Sequence, residues 1–251
     1  MSLLQSTSGL SIGQTPLELF KYKNEQDTNI ALQDRGIIMP GSNIEANVWL
    51  PAAAVPYQIS TDIRDYVLVP VPIMFSDIPN TNGDSVSMAE LLKFHPDLGM
   101  QAFKTFRGKP THYEHDNKDI TKAKGVILDA FMRPLRGFGQ DRYWKLVLLL
   151  AFDRTKDPLL VNSILSGENN AYSLGFYFKS YRCAVCKQRF GEGGSPMPCE
   201  HTAPRRPTYL MNDKRLAYRE CENIRGFETS VVGSPAYVPA ISKRIMDLKN
   251  F

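Results

Sequence analysis

Apolar residues along this chain recur mostly in short runs and at alternate positions, the period of strands rather than of long helices. From Asn43, Ile44, Ala46 and Val48 alternate with polar neighbours up to Leu50-Pro51 and predict a strand. Tyr66 to Ile73 is apolar but carries Pro70 and Pro72, which exclude a helix and predict an edge strand or an irregular wall. After the Asn80–Asp84 turn signal, Ser87 and Glu90 form a capping box, opening a short helix with Leu91, Leu92 and Phe94 on its apolar side. A second helix is expected from about Asp97 to Phe106, closed at Gly108. Two strands follow, Lys124 to Met132 and Tyr143 to Phe152, joined as a long hairpin by a polar, Gly-containing loop. Asp157-Pro158 starts another helix, with Leu160, Val161, Ile164 and Leu165 at helical spacing until Gly167. Ala171 to Tyr181 and Phe227 to Val232 read as strands, separated by a cysteine-rich insert.

The pattern predicts an α+β protein, a mainly antiparallel sheet or barrel core surrounded by a few helices, without internal repeats. The 251 residues, 43% hydrophobic and 10% aromatic, suffice for one sizeable core with a small appended module. Residues 1–35, rich in Ser, Thr, Gln and Asn, are expected to be flexible. Residues 36–240 would form the domain, with an insertion at about 183–215, and 241–251 a C-terminal tail.

Charge changes this picture little. The net charge is +4, from 30 basic and 26 acidic residues, and no dense Lys/Arg run argues for nucleic acid. The longest apolar run, Leu146 to Phe152, is far short of the roughly 20 residues that span a bilayer, so no membrane is expected. The N-terminus lacks the pattern of a signal peptide, which predicts work inside a cell and cysteines that are thiols or metal ligands.

Three constellations carry candidate chemistry. The first is Gly108 to Asn117, with His112, Glu114 and His115. Helical zinc peptidases need two histidines one helical turn apart, whereas here they stand three residues apart after a proline, in a strand-like context. On a strand His112 and Glu114 would share one face and Tyr113 and His115 the other, so the imidazoles would point apart. A zinc peptidase is therefore not expected, and the plain alternative is a solvated strand end. The second is Asn170 to Phe178, where Ser173, Gly175 and Tyr177 face one way and Gly175 leaves room for a peptide to approach the hydroxyl. Standing alone, a strand serine is a structural residue. The third is Gly226 to Ala236, in which Glu228 sits in an apolar, β-branched strand. Such a carboxylate either faces water at an edge or is paired, and one use for it is to orient an imidazole.

In this order, Gly-Lys-Pro with Glu-His115-Asp, Gly-Val-Ile, Tyr-Ser173-Leu-Gly-Phe and Phe-Glu228-Thr-Ser-Val-Val with Pro-Ala, the chain resembles the prohead maturation proteases of tailed bacteriophages, which in turn resemble herpesvirus assemblin. The resemblance covers about residues 43–240. It implies an assemblin-like β-barrel ringed by helices and a serine endopeptidase with Ser173 as nucleophile and His115 as general base. Glu228 is the candidate third member, with Asp116, Glu220 and Glu222 as competitors. The implied substrates are phage scaffold and major capsid proteins and the protease itself, with a homo-oligomer possible. The implied place is the host-cell cytoplasm, inside the immature prohead. Backbone amides, with Arg225 as helper, are the candidate oxyanion donors.

Cys183-x-x-Cys186 and Cys199-Glu-His201 supply three thiolates and an imidazole, a set suited to structural zinc. Cys221 is an alternative fourth ligand, and free thiols are the plain alternative. With four protein ligands such a zinc would be closed to water and not catalytic. A redox role would need a βαβ context that is missing. The rival reading of the whole chain is a non-enzymatic, zinc-containing phage assembly or nucleic-acid-binding protein, built around this knuckle and Arg205-Arg206. A protease relative that has lost activity is a third.

Overall fold

The computed structural model describes residues 53–95, 97–135, 143–212, 214–242 and 245–247. The expected flexible segment 1–35, the strand from Asn43 and the hairpin tip at 136–142 lie outside the described residues. The three longest strands come from the apolar runs: β1 (Tyr66–Phe75), β4 (Gly125–Pro134) and β5 (Trp144–Asp153). Their near-continuous apolar composition fits strands buried on both faces. Val67, Val69, Val71 and Ile73 of β1 enter the main core, while Tyr66 and Leu68 pack with Ala53, Ala54 and Tyr57 on the opposite side.

Four further strands complete the main sheet: β3 (Pro110–Tyr113), β6 (Tyr172–Tyr177), β12 (Arg225–Val231) and β13 (Met246–Asp247). Its order is β13-β1-β5-β4-β3-β12-β6. All of its pairings are antiparallel except β3 with β12. β13 lies outside β1, so β1 is not the edge strand of the sheet, and among the described residues the two pair at Val67 and Leu68, leaving Pro70 and Pro72 without a described partner on that side. Between Pro72 and Met74 the β1–β5 register shifts, a local irregularity.

The sheet curls into a half-barrel. Phe152 and Tyr172, from strands that are not neighbours, bring their ring centroids to 6.2 Å. The described residues after Pro239 lie along the two edges of the sheet. Tyr172 N–H donates to Ala240 O at 2.9 Å, Ser242 N–H donates to Asn170 O at 2.9 Å, and β13 then joins β1. The described part of the 241–251 segment is thus built into the sheet.

Two short α-helices start where their caps predict. Ser87 Oγ accepts the Glu90 N–H at the start of α1 (Met88–Leu92). Leu91 is buried there, but Phe94 lies beyond the helix and faces solvent. Asp157 caps α2 (Pro158–Ser166), which buries Leu160, Val161 and Ile164 and ends at Gly167 with φ 82°. The helix expected over 97–106 is instead a 3-10 turn at Ala102–Phe106, because Gly99 adopts φ 60° and Phe94 bridges to Gln101. That turn packs on β12: a Cβ on Gly226 would fall 2.1 Å from the Phe106 ring, and Thr105 Oγ1 accepts the Gly226 N–H.

The strand expected over Ala171–Tyr181 breaks after Tyr177, and its second part becomes β7 (Ser180–Cys183) of another sheet. With β2 (Asp84–Ser85), β8 (Arg189–Gly191) and β11 (Arg219–Glu222) it forms a four-stranded sheet of order β2-β11-β7-β8. A hairpin of β9 (Thr208–Leu210) and β10 (Arg215–Ala217) completes the insertion, whose small core gathers Cys183, Val185, Phe190 and Ala217. Arg219 ties it to β2 through a 2.7 Å ion pair with Asp84. The described architecture is α+β, mostly strands with few helices, and none of its helices is long and apolar enough to cross a membrane.

Candidate functional site

β12 organises the site because it lies between β3 and β6. Ser230 stands opposite Ser173 of β6 and, on its other side, opposite His112 of β3. Partners in register share a face, so Ser173, Ser230 and His112 stand abreast, with Glu228 two residues along the same face. The register of β12 against β6 slips between Gly226 and Glu228, which leaves Phe227 unpaired and sets Glu228 opposite Gly175. Gly175 makes this possible: a Cβ there would lie 2.7 Å from Glu228 Cγ and 2.8 Å from its Oε1.

Glu228 is only 1% exposed, and both carboxylate oxygens have partners. Oε1 lies 2.7 Å from His115 Nδ1, and Oε2 accepts the Ser230 hydroxyl at 2.8 Å. Burial pushes the Glu228 pKa up, but hydrogen bonds from His115 and Ser230 outweigh it and hold the carboxyl below its usual range. The bond to Glu228 raises His115 above the ordinary imidazole value, against the effect of burial. With an ionised carboxylate as acceptor, the imidazole proton sits on Nδ1 and the Nε2 lone pair is free to take a proton.

His115 does not belong to β3. The strand ends at Tyr113, and Glu114 and His115 follow at φ 47° and 56°, both left-handed. This corner turns the chain back toward β12, so strand alternation does not extend to His115. The two histidines therefore do not point apart as expected, and both lie in the field of Glu228. His112 is 1% exposed, and its burial lowers its pKa further than the charges of Glu228 and Asp116 raise it.

Ser173 is 8% exposed. Its carbonyl accepts the Thr229 hydroxyl at 2.7 Å, which fixes its backbone. Among the described residues its own hydroxyl has no hydrogen-bond partner, to His115 or to any other group. The competing carboxylates are engaged elsewhere. Asp116 pairs with Lys122 at 2.9 Å, Glu220 with Lys187 at 3.2 Å, and Glu222 with Arg182 at 2.6 Å and Arg189 at 2.9 Å. Arg225 stands opposite Tyr177, four residues along β6 from Ser173, roughly 13 Å at strand rise. Strand alternation in the sequence puts Ser230 on the face of Glu228, and the structure has the two hydrogen-bonded there. His112 is the neighbour that sequence reasoning missed, because its place beside Ser230 comes from the pairing of β3 with β12.

A second cluster lies in the insertion. The ligand atoms of Cys183, Cys186, Cys199 and His201 all fall within 4.8 Å of one another. Cys186 Sγ and Cys199 Sγ are 3.8 Å apart. That matches the edge of a tetrahedron with metal–sulfur bonds of about 2.3 Å, also about 3.8 Å. His201 Nδ1 is buried without a hydrogen-bond partner among the described residues, as a nitrogen aimed at a cation would be. Burial pushes the Cys183 thiol up to about 11, a cost that a bound cation would offset. Cys221 lies apart from this group, in the core, with its thiol donating to Asp84 Oδ1 at 3.6 Å. The fourth position therefore goes to His201. These residues could bind a metal ion.

Set against known proteins, the chain matches no family model, no curated protein and no solved structure.

Proposed function

We propose that this chain is a serine endopeptidase of the prohead maturation type, with Ser173 as nucleophile, His115 as general base and Glu228 as the orienting carboxylate. The observation that carries the reading is the 2.7 Å contact of His115 Nδ1 with a buried, ionised Glu228 on the face of β12 that also bears the register partner of Ser173. Few structural roles require a charged carboxylate inside a sheet, paired to a half-exposed imidazole.

In this reading, His115 Nε2 takes the Ser173 proton as the hydroxyl oxygen attacks the scissile carbonyl. Glu228 holds the imidazole tautomer and stabilises the imidazolium. His115 then gives that proton to the departing amine, and water repeats the sequence on the acyl-enzyme. Catalytic hydrogen bonds are often long before substrate binds, so the free hydroxyl of Ser173 fits a site that tightens on its peptide. The half-barrel would be an assemblin-like core. Cys183, Cys186, Cys199 and His201 would hold structural zinc, which cross-links the insertion and, with four protein ligands, has no open position for chemistry. By the resemblance of the motifs, the substrates are phage scaffold and major capsid proteins and the chain itself, inside the immature prohead.

A fluorophosphonate probe tests the reading directly. It should label Ser173 in the wild type and lose that label in His115→Ala. Labelling that persists without His115, or falls on another residue, would contradict it.

A further inference from the structure

His115 reaches Glu228 only because the chain leaves β3 through two consecutive left-handed residues, Glu114 and His115. Side chains other than glycine rarely adopt that region, so the corner needs support from outside itself. Glu114 supplies two such supports, both to β12 and its exit. Its N–H donates to Val231 O at 2.9 Å, and its Oε1 accepts the Gly233 N–H at 2.8 Å. The turn is closed on its other side by Asp116 N–H to Tyr113 O at 3.0 Å and Asn117 N–H to His115 O at 2.8 Å. The backbone bonds of the corner do not depend on which side chain sits at position 114, but the bond to Gly233 does. A solvent-facing carboxylate has water as an easy alternative partner, yet here it is spent on a backbone amide at the end of the strand that carries Glu228.

We infer that Glu114 is a positioning residue: its carboxylate clamps the left-handed corner to the end of β12 and so sets the His115 imidazole against Glu228. The kinetic consequence rests on the protease reading, whereas the clamp rests on the geometry alone. Two carboxylates, Glu228 from β12 and Glu114 from the corner itself, act to raise the His115 pKa. Loss of the clamp should therefore be visible in the imidazole as well as in the rate.

The test compares Glu114→Ala and Glu114→Gln with the wild type. One readout is NMR titration of the histidines, with His115 assigned by its absence in His115→Ala. The other is kcat and KM for cleavage of the scaffold protein. Glu114→Ala, which removes acceptor and charge, should lower kcat on the order of 100-fold at unchanged KM and move the His115 pKa down. Glu114→Gln keeps an acceptor oxygen, so it should recover most of kcat, with a His115 pKa between the other two. Wild-type kcat in Glu114→Ala, or an unmoved His115 titration in that variant, would overturn the inference. An inactive wild type would remove the protease reading but not the clamp: both variants lack the Glu114 charge, so a His115 pKa higher in Glu114→Gln than in Glu114→Ala supports the clamp and equal values in the two overturn it.

Discussion

His115 and Glu228 are 113 positions apart in the chain, yet Nδ1 of one stands 2.7 Å from Oε1 of the other. The pair is asymmetric: the imidazole side chain is 44% exposed and the carboxylate 1%. An exposed ion pair contributes little, but a carboxylate taken out of water must keep its partners or become neutral. Glu228 keeps two, His115 and Ser230, and stays ionised. That fixes the direction of the imidazole, with the proton toward Glu228 and the lone pair away from it.

Glu228→Gln removes the charge while nearly conserving shape. It should lower kcat by roughly 100- to 10,000-fold, the range in which loss of an orienting carboxylate falls, with a smaller change in KM. Steady-state kinetics on the scaffold substrate check this.

The pH dependence follows from the same pair. His115 is raised above 6.5, so on the proposed mechanism activity should increase with pH through a midpoint above that value, as the imidazole loses its proton. Stability runs differently. The His115 contribution is complete below pH 6.5 and is lost as pH rises through its folded pKa. The Glu228 contribution is complete above pH 4.5 and is lost as pH falls through its folded pKa. The pair is one interaction seen from two sides, so the difference in Tm between the wild type and Glu228→Gln should peak between those values. A difference that keeps growing toward pH 9 would contradict this.

Gly175→Ala places a Cβ 2.7 Å from Glu228 Cγ and 2.6 Å from the Phe227 ring. The carboxylate must shift to admit it. The expected result is a loss of activity on the order of 100-fold, with a stability cost of about 1–3 kcal/mol from overpacking. Denaturant titration and kinetics on one sample separate the two effects.

The purified chain should carry about one zinc per molecule, measured by metal analysis. Cys186→Ser or a strong chelator should abolish it and lower Tm, since a structural zinc stabilises the fold that binds it. Cys221→Ser should keep the metal, because that thiol lies outside the cluster. Loss of zinc in Cys221→Ser alone would contradict the assignment.

Local signals in the sequence translated well where a single residue decides the geometry. Ser87 and Asp157 cap the helices as their chemistry requires, and Gly167 closes α2 in the left-handed region. Pro70 and Pro72 exclude a helix as expected, and the strand that carries them is irregular after Pro72, but it is flanked by β13 and β5 and is not an edge strand. Signals that depend on a period continuing failed where the period stops. Alternation from His112 to His115 assumes a strand through 115, but β3 ends at Tyr113 and two left-handed residues reverse the direction of the side chain. The run from Ala171 to Tyr181 is strand-like throughout, yet the chain changes sheets after Tyr177, which only tertiary pairing decides. Of the candidate site, the sequence shows the residue types and their order. The registers that bring Ser230 between Ser173 and His112, and the bulge that opposes Glu228 to Gly175, come from pairing of distant strands and leave no local mark.

The most direct test of the central claim is intact-mass analysis of the wild type and Ser173→Ala, each incubated at high concentration with the phage scaffold protein. The account predicts discrete fragments of scaffold, and of the protein itself, from the wild type only, while Ser173→Ala stays folded and leaves every mass intact. The same fragments from Ser173→Ala, or an untouched scaffold with the wild type under assembly conditions, would contradict it.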